Sequence, residues 1–308
     1  MPTESVIQVE KLAKRFGKLT AVDGISLDVH RGEVFGILGP NGAGKTTTLE
    51  CIEGLLKPTS GRTVVLGVDT AREPERVKER IGVQLQASAY FEYLTLTEIL
   101  ELFGRFYSRR LPPAQLLAKV GLTDKARTTV GKLSGGQKQR FTIAATLVND
   151  PEMVFLDEPT TGLDPQARRN LWELIQDIHR EGRTIVLTTH YMEEAQSLCQ
   201  RVAIMELGGI VALDTPVNLI HRLPVPYVVK LTTAAPLPLE GMRGLEGVSA
   251  ASQDGEGEYT IHSRDAGVTL PALLSWAQGQ GVRAEHLEVA AASLEDVFLA
   301  LTGKALRD

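Results

Sequence analysis

The sequence lacks long apolar runs. Among its 308 residues, no run approaches the roughly 18 consecutive apolar residues that a membrane-spanning helix needs. The first residues, Met1 to Ser5, are polar and begin no apolar stretch of the kind found in a signal peptide. We therefore expect a chain that is not embedded in a membrane, so that any contact with a membrane comes through a partner.

Cysteine is also scarce. The sequence has 2 cysteines, Cys51 and Cys199, which are far apart and have neither the spacing of a metal site nor that of a redox pair. Both fall on apolar helical stretches, where a buried thiol is the usual outcome. Because such thiols fit a reducing compartment, the sequence predicts a cytosolic protein.

Positive charge is not in excess either. The sequence has 33 Lys and Arg residues against 38 Asp and Glu residues, which gives a net charge of −5. Duplex nucleic acid is usually bound by a basic face, so this balance argues against nucleic acid as the main partner, although it leaves room for a local patch. The length of 308 residues suffices for one large or two ordinary domains with a sizeable core.

What the sequence does contain is a glycine-rich stretch between a predicted buried strand, Val34–Leu38, and a predicted helix. The stretch reads Gly39-Pro40-Asn41-Gly42-Ala43-Gly44-Lys45-Thr46-Thr47. A turn of this kind directs successive backbone N–H groups toward one point at the positive end of the helix dipole, which makes a phosphate cradle. The spacing is that of a P-loop, in which Lys45 reaches the β- and γ-phosphates and the Thr46 hydroxyl ligates Mg²⁺. A glycine-rich turn that ends in Lys-Thr by chance is the alternative, and the flanking strand and helix disfavour it.

Two carboxylates follow a second apolar run. The run Met153–Asp157 predicts a buried strand, and Glu158 comes directly after it. Parallel sheets place functional groups at the carboxyl ends of their strands. Asp157 can hold Mg²⁺ there through its waters, and Glu158 can accept a proton from the water that attacks a γ-phosphate. The pair could instead cap a helix or form a surface turn, but the P-loop in the same chain favours catalysis.

Three further residues are candidates that the local pattern leaves open. Phe16, in a predicted loop over residues 14–17, could stack on a flat adenine, although a lone Phe near a strand is more often part of the core. Gln86 ends the predicted strand 81–86, where an amide can ligate Mg²⁺ or hold a water. His190 follows the predicted strand 183–189, where it could donate to a γ-phosphate, although a single His at a helix start is usually only a flanking polar residue.

Another glycine pair begins a predicted helix. Ser134 stands three residues before Gln137 and predicts a capping box at the start of that helix. The cap does not account for Gly135 and Gly136 between them. These glycines leave the helix N-terminus bare, as if something must approach its N–H groups closely.

The rest of the pattern indicates how the chain is organised. Residues 6–10 and 25–29 alternate as antiparallel strands, residues 94–149 are mostly helical, and Asp164 caps a helix that Pro165 begins. After residue 226 the order β-α-β-β-α-β predicts a small ferredoxin-like sandwich. We therefore expect an ATPase-type domain over residues 5–221, with a helical subdomain at about 94–149, and an accessory α+β domain over residues 226–308.

The run Leu133-Ser134-Gly135-Gly136-Gln137, between the P-loop and the strand that ends at Asp157, resembles the signature of the ATP-binding cassettes of the ABC superfamily. The resemblance covers roughly residues 5–221. It implies an α/β P-loop NTPase fold with an antiparallel β subdomain and a helical subdomain, and it implies ATP and Mg²⁺ as ligands. By the same resemblance, the motif positions have these roles: Phe16 stacks on adenine, Gln86 is the Q-loop glutamine, Glu158 is the catalytic base, Asp164 belongs to the D-loop and His190 is the switch histidine.

The resemblance also implies that two chains act together. In ABC proteins two cassettes dimerise head to tail, and the signature of one subunit closes on the γ-phosphate that the other holds. This chain has one P-loop and one signature, so a second copy or a related subunit must complete each site. ATP would hold the dimer together and hydrolysis would release it.

The terminal stretch from Ser293 to Gly303 is similar to the tail of ABC-2 type exporter ATPases, such as those of bacterial transporters resembling the daunorubicin exporter. This implies an exporter subunit at the cytoplasmic face of a bacterial cell membrane, working with a separate ABC-2 type permease. We expect the permease contact beyond Gln86, where Tyr90, Phe91 and Tyr93 offer exposed aromatic anchors.

The alternative is a non-transport ABC ATPase of the DNA-repair, chromosome or translation-factor kind. Those proteins carry long coiled coils, zinc–cysteine modules or two fused cassettes, and the sequence has none of these. A regulatory module without turnover would be expected to lack the base, whereas Glu158 is present. The transported substrate, the identity of the permease, the choice between homodimer and heterodimer, and the role of residues 227–308 stay open at this level.

Overall fold

The structure, a computed structural model, describes residues 4–85 and 90–303 of the chain. These residues fall into two compact units, the first ending at Thr215 and the second beginning at Pro216. The predicted boundary between the two domains lies a few residues later, between 221 and 226. In the part of the chain that the structure describes, no helix has both the length and the apolar character needed to cross a membrane.

The first unit alternates strands and helices. In chain order its elements are β1 (Ser5–Phe16), β2 (Leu19–His30), β3 (Val34–Leu38), α1 (Lys45–Glu53), β4 (Ser60–Val65), β5 (Val68–Asp69), α2 (Pro74–Lys78), β6 (Ile81–Gln84), α3 (Leu96–Gly104), α4 (Pro113–Lys119), α5 (Gly135–Thr146), β7 (Met153–Asp157), α6 (Pro165–Arg180), β8 (Thr184–Thr189), α7 (Met192–Leu198), β9 (Arg201–Glu206) and β10 (Gly209–Asp214). Two short 3₁₀ turns, Thr123–Lys125 and Val130–Lys132, lie between α4 and α5.

A six-stranded sheet with the strand order β10-β9-β3-β8-β7-β6 forms the centre of this unit. All neighbouring strands are parallel except β9 and β10, which form the predicted hairpin. Every residue of β3, β7 and β8 is buried, which explains the apolar runs of β3 and β7. Leu38 pairs with Thr189, and Asp157 pairs with Thr188, so the three strands end at one edge of the sheet.

A second, antiparallel sheet has the order β2-β1-β4-β5. The predicted strands 6–10 and 25–29 are parts of the longer strands β1 and β2, but the predicted loop over residues 14–17 is wrong. Strand β1 continues to Phe16, which pairs with Leu19, and the chain turns at Gly17 with a φ of +58°. Register shifts along the β1–β2 pair interrupt the alternation of apolar and polar residues, so the pattern hides the continuity of the strand.

The helical part packs α3, α4 and α5 around buried apolar side chains. The buried residues that carry this packing include Leu96, Ile99, Leu100, Leu116, Leu117 and Phe141. Thr95 caps α3 and Ser134 caps α5, each in a reciprocal capping box with the residue three positions later. Within the charged stretch 71–80, the helix α2 covers only Pro74–Lys78, and Pro74 sets its first turn.

The second unit has the predicted β-α-β-β-α-β order. After α8 (Pro216–His221), its elements are β11 (Tyr227–Thr233), α9 (Leu239–Arg243), β12 (Val248–Gly255), β13 (Glu258–Ser263), α10 (Ala266–Gly279), β14 (Ala284–Ala291) and α11 (Leu294–Thr302). The sheet order β12-β13-β11-β14 places β13 between β11 and β12, antiparallel to both, which is the split arrangement of a ferredoxin-like sandwich. Leu273 and Ala277 of α10 pack with Val229, Tyr259 and Ile261 of the sheet in one apolar core.

Cys51 and Cys199 are both buried and unpaired, as predicted. Burial raises the pKa of the Cys51 thiol to about 11, so this side chain is a neutral thiol near neutral pH.

Candidate functional site

The glycine-rich stretch lies between β3 and α1, and two of its glycines are required by close backbone contacts. Gly44 precedes α1 with a φ of +98°, and a Cβ there would lie 2.3 Å from the carbonyl oxygen of Ala21. A Cβ on Gly39 would lie 2.3 Å from the carbonyl oxygen of Met205. Both distances are too short for any side chain, so these contacts fix the position of the loop at the start of α1.

The other residues of the stretch complete the turn. Asn41 and Gly42 are exposed, and Gly42 has a φ of +80°. The N–H of Ala43 donates to the carbonyl of Pro40 over 3.2 Å, and Thr47 is half-buried in the first turn of α1. The first turn of a helix leaves its N–H groups without partners inside the helix, so the predicted phosphate cradle has the expected surroundings.

Lys45 lies inside this turn and is almost completely buried. Its Nζ is 2.9 Å from the carbonyl oxygen of Gly39, 3.1 Å from that of Pro40, and 3.2 Å from Oε1 of Glu158. The ammonium group therefore joins the loop after β3 to the carboxylate after β7.

Thr46 and Asp157 form a pair of oxygen ligands beside Lys45. The Thr46 hydroxyl donates to Oδ1 of Asp157 over 3.2 Å, and the Thr188 hydroxyl donates to the same oxygen. Among the described residues, no cluster of three or more His, Cys, Asp or Glu side chains is placed to hold a metal ion. A hydroxyl and one carboxylate suit Mg²⁺, which usually takes few protein ligands and completes its shell with phosphate oxygens and water. The two side chains therefore fit the predicted magnesium site.

Glu158 is 8% exposed and contacts several polar groups. Besides Lys45, its carboxylate accepts a hydrogen bond from the Thr161 hydroxyl over 3.2 Å. The Nδ1 of His190 lies 3.3 Å from Oε2 of Glu158. Burial acts to raise the pKa of this carboxyl, but Lys45 and His190 outweigh it and hold the pKa below its usual value. Glu158 is therefore ionised near neutral pH, as a proton acceptor must be.

The backbone of Glu158 is unusual. Its φ is +47°, in the left-handed region that residues with a side chain seldom adopt. Its N–H donates to both the hydroxyl and the carbonyl oxygen of Thr188, over 3.0 Å and 3.2 Å. These contacts with β8 hold the residue at the end of β7 in the orientation that brings its carboxylate to Lys45.

His190 follows β8 directly, as predicted, and its side chain is 17% exposed. Its ring lies against that of Tyr191, with 4.1 Å between the ring centroids. The structure thus brings Lys45, Thr46, Asp157, Glu158 and His190 together at the edge where β3, β7 and β8 end.

Two predicted residues lie away from this cluster or cannot be placed. Phe16 ends β1 with an exposed ring, and the Nζ of Lys14 lies 5.0 Å from its centroid. The exposure is compatible with stacking on a base and excludes the core role that was the alternative. Gln86 lies outside the described residues, so its predicted contacts are not tested.

Ser134 makes the predicted cap of α5. Its hydroxyl accepts from the N–H of Gln137 over 3.3 Å, and Oε1 of Gln137 accepts from the N–H of Ser134 over 3.0 Å. The two glycines that the cap did not explain differ. A Cβ on Gly136 would lie 3.2 Å from Cβ of Ala167 in α6, whereas a Cβ on Gly135 would meet nothing within 4 Å. Packing against α6 accounts for Gly136, and only Gly135 faces open space.

The start of α5 shares an open pocket with the start of α6. The pocket has a volume of about 530 Å³, and its lining includes Ser134, Gly135, Gly136, Gln137, Leu163 and Asp164. Asp164 is the N-cap of α6, as predicted, and its Oδ1 accepts from the N–H of Ala167 over 2.9 Å. The predicted helix caps Ser134 and Asp164, which are far apart in the sequence, therefore lie on one surface.

One of the three predicted aromatic anchors is not exposed. Tyr90 is half-buried, its ring packs against Phe141 with 5.2 Å between centroids, and its hydroxyl donates to Thr142 over 3.0 Å. The sequence pattern could not indicate this because Phe141 belongs to α5, some fifty positions away. Phe91 and Tyr93 are exposed, as predicted, with Tyr93 at 92%.

Sequence reasoning missed the residues that support the carboxylates. Thr188 contacts both Asp157 and Glu158, and Thr161 contacts Glu158. Thr188 was interpreted only as part of a buried strand. A hydroxyl one position before the end of a buried strand is the signal that could have identified it.

The arrangement can bind and cleave a phosphate chain. The P-loop and Lys45 supply positive groups for phosphate oxygens, Thr46 and Asp157 supply ligands for a divalent cation, and Glu158 supplies an ionised base. Phosphoryl transfer needs little more than such positioning and charge stabilisation.

The comparisons with known proteins agree with this chemistry. Residues 22–161 match the profile of the ABC transporter family. The chain is 35% identical to the linearmycin resistance ATP-binding protein of Bacillus subtilis, covering 98% of this chain and 100% of that protein. It is 38% identical to the daunorubicin resistance ATP-binding protein of Streptomyces coeruleorubidus, covering 96% and 95%. It is also 38% identical to the Nod factor export ATP-binding protein I of Ralstonia nicotianae, covering 98% and 95%.

Solved structures resemble the chain over most of their length. A subunit of an ABC transporter complex from Clostridium perfringens is 30% identical, with a TM-score of 0.64, covering 71% of this chain and 92% of that one. A dimeric ATP-binding cassette in a post-hydrolysis state, bound to ADP and Pi, is 26% identical, with a TM-score of 0.62, covering 68% and 98%.

Proposed function

The chain belongs to the ABC transporter family, and we propose that it is the subunit that hydrolyses ATP to power export through a separate membrane permease of the ABC-2 type. Binding and hydrolysis of ATP come with membership of the family. The observation that carries the proposal is the cluster of Lys45, Thr46, Asp157, Glu158 and His190 at one sheet edge, in a chain that matches export and resistance ATP-binding proteins over nearly its whole length.

The P-loop and its lysine bind the phosphates of ATP. Lys45 lies among the carbonyl oxygens of the loop and Oε1 of Glu158, and phosphate oxygens would give its ammonium a stronger anionic partner. Glu158 keeps the contacts from Thr161 and His190 when Lys45 turns to the phosphates. The exposed ring of Phe16 stacks on the adenine.

Glu158 acts as the general base. Its carboxylate takes a proton from a water molecule while the water oxygen attacks the γ-phosphorus, and the bond from that phosphorus to the bridging oxygen of ADP breaks. His190 donates a hydrogen bond to the γ-phosphate, and Gln86, the predicted Q-loop residue, would hold the water or the metal. Thr46 and Asp157 would hold Mg²⁺, which neutralises charge on the phosphates when it is bound.

A second cassette completes each site. The pocket of Ser134, Gly135 and Asp164 is open, and the helix that begins there has exposed N–H groups suited to an anion. We call this pocket of Ser134, Gly135 and Asp164 the signature pocket. The γ-phosphate held by one subunit would enter the signature pocket of the other. The dimeric cassette that resembles this chain supports such an assembly.

Export is favoured over the non-transport alternative by the relatives. The linearmycin and daunorubicin proteins are named for resistance and the Nod factor protein for export. We infer a peripheral position at the cytoplasmic face of a bacterial membrane. The exposed side chains of Phe91 and Tyr93 are suited to contact the permease, whereas Tyr90 packs against Phe141.

The test is to express the tagged chain in its own cells and purify it in detergent. We expect one integral membrane protein with several spans to co-purify and to stimulate ATP turnover in vesicles. Replacing Phe91 and Tyr93 together by Ala should abolish this stimulation and leave the turnover of the isolated chain unchanged. Full turnover without any membrane protein, together with association with DNA or ribosomes, would favour the non-transport alternative.

A further inference from the structure

Helices α6 and α7 meet through a stack of three side chains that ends at His190. The guanidinium carbon of Arg168, in α6, lies 4.1 Å from the centroid of the Tyr191 ring. The Tyr191 ring in turn lies 4.1 Å from the imidazole of His190, with 44° between the ring planes. An arginine over an aromatic face is attracted by the electrons of the ring, most strongly where water is excluded.

Arg168 is half-buried. Its Nε is buried and has no hydrogen-bond partner in the part of the chain that the structure describes, and its guanidinium lies over the Tyr191 ring. Glu194 of α7 is completely buried and accepts a hydrogen bond from Nε1 of Trp172 over 3.0 Å. Burial raises the pKa of Glu194, and the charge of Arg168 acts in the opposite direction. The two helices are thus tied by polar contacts next to the stack.

The other end of the stack reaches the signature pocket. Arg168 lies in the first turn of α6, and its N–H donates to the carbonyl of Asp164 over 2.9 Å. The neighbouring residue, Ala167, is the one that Gly136 approaches so closely that a Cβ there would lie 3.2 Å away. A movement at the start of α6 would therefore shift Arg168 with it, because the first turn of a helix moves as a unit.

We propose that Arg168 and Tyr191 are positioning residues that hold His190 against Glu158. Through them, the position of His190 depends on the position of helix α6. Neither residue contacts the reacting atoms. The ring of Tyr191 limits the orientations open to the imidazole, and the guanidinium of Arg168 packs on that ring. This inference rests on the proposed roles of Glu158 and His190. It adds that the geometry of the base depends on the helix that borders the signature pocket.

The competing explanation is that the stack only packs α6 against α7. Packing alone would make substitutions lower the thermal midpoint, and turnover per folded molecule would stay unchanged. Positioning would lower kcat while the KM for ATP stays the same, because the P-loop and Phe16 bind the nucleotide independently.

The experiment compares four variants in the full chain: Tyr191→Leu, Tyr191→Phe, Arg168→Met and Arg168→Lys. We expect Tyr191→Leu to lower kcat roughly tenfold and Arg168→Met roughly fivefold, with the KM for ATP changed less than twofold, since small displacements of catalytic groups cost this much or more. Tyr191→Phe keeps the ring and should retain at least half of the turnover. Arg168→Lys keeps the charge and should restore part of it.

Arg180→Met is the matched control. Arg180 is an exposed arginine at the other end of α6, where it forms a surface ion pair with Asp177. Its loss should leave kcat unchanged. The thermal midpoint is measured for every variant, and if Tyr191→Leu does not fold, the comparison of Arg168→Met with Arg168→Lys decides the question because both keep the tyrosine.

Glu158→Gln and His190→Ala are assayed beside these variants. If both of them lose turnover while Tyr191→Leu and Arg168→Met stay within twofold of the wild type, the positioning proposal is overturned and the base assignment stands. A fall in turnover that only matches the loss of folded protein, measured by thermal unfolding, would also overturn it, in favour of packing. Wild-type turnover in Glu158→Gln would instead overturn the proposed role of Glu158.

Discussion

The sheet edge at Lys45 and the pocket at Ser134 satisfy their polar groups in different ways. At the sheet edge, buried side chains from three strands contact one another, so that Lys45, Glu158 and His190 form a connected set. In the pocket, Ser134 and Asp164 each cap their own helix, and Gly135 faces open space. The edge is therefore organised within one chain, whereas the pocket has local order and stays open among the residues that the structure describes. Substitutions should affect the two regions differently.

The largest effect is expected from Glu158→Gln. The amide cannot accept the proton of the attacking water, so kcat for ATP should fall roughly 1000-fold while ATP affinity is retained. Because ATP then persists, the variant should accumulate as a nucleotide-bound dimer, which size-exclusion chromatography with and without MgATP would detect. Thr161→Val, which removes one hydrogen bond to the same carboxylate, is the graded control and should cost far less. Turnover close to wild type in the Gln variant would contradict the assignment.

Gly135→Glu tests the pocket in the same assay. A Cβ at Gly135 would meet no atom within 4 Å among the residues that the structure describes, so the fold should tolerate the change, and an acid in the first turn favours the helix. Its charge would oppose the phosphates of a second subunit, so turnover should fall roughly 100-fold. ATP binding to the isolated subunit, measured by titration calorimetry, should be unchanged.

Gly135→Ala is the control for that change, since it adds a carbon without charge. Retained turnover in Gly135→Ala together with lost turnover in Gly135→Glu would support a site shared between subunits. If Gly135→Glu weakened ATP binding to the single subunit, the pocket would belong to the same site as the P-loop, and the contrast between the two regions would fail.

The buried carboxyl of Glu53 should make the stability of the folded chain depend on pH. This residue of α1 is 1% exposed, and neither carboxylate oxygen has a hydrogen-bond partner among the described residues. Burial, with smaller contributions from Asp157 and Glu50, raises its pKa from 4.5 to about 8. Between these two values the folded chain holds a proton that the unfolded chain has released, so stability should fall as the pH rises from about 4.5 to about 8.

The slope should approach roughly 1.4 kcal/mol per pH unit, and it should flatten above the folded-state pKa. Glu53→Gln cannot ionise, so this part of the decline should disappear. Urea unfolding without nucleotide, at several pH values across this range, measures it. The exposed Glu173, replaced by Gln, is the matched control. If the free energy of unfolding falls equally with pH in the wild type and in Glu53→Gln, Glu53 is already ionised in the folded chain.

Phe16→Ala should have the smallest effect. Stacking of a base on an aromatic ring is worth about 1–3 kcal/mol, so the KM for ATP should rise roughly tenfold while kcat is little changed. Phe16→Tyr keeps the ring and should behave like the wild type. Inhibition by inorganic tripolyphosphate, which has no base, should be the same in all three proteins. Weaker inhibition in Phe16→Ala would place the ring near the phosphates instead.

The same contrast explains what the sequence could predict. The P-loop, Asp157, Glu158 and His190 each follow an apolar run, and the ends of buried parallel strands meet at one edge by the geometry of the fold. The caps at Ser134 and Asp164 are local, so spacing alone predicted them. The predicted role of Gly135 toward a second subunit came only from the resemblance, because a Cβ at this position would meet nothing within 4 Å among the described residues.

Contacts between residues far apart in the sequence account for the features that the sequence did not predict. Thr188 supports two carboxylates from a neighbouring strand, and Tyr90 is buried by a helix that follows much later in the chain. Gly136 is small because Ala167 lies against it. None of these pairs has a fixed spacing in the sequence, so a pattern of apolar and polar residues does not contain them.

The left-handed backbone of Glu158 has a consequence for how this protein can change. With a φ of +47°, a residue that carries a Cβ costs roughly 1–2 kcal/mol relative to relaxed backbone, and glycine would avoid most of this cost. Replacement by glycine would also leave the buried ammonium of Lys45 without its carboxylate partner, which costs roughly 3–5 kcal/mol. The ion pair therefore outweighs the backbone strain, and screens for more stable variants of this ATPase without nucleotide should retain the glutamate here.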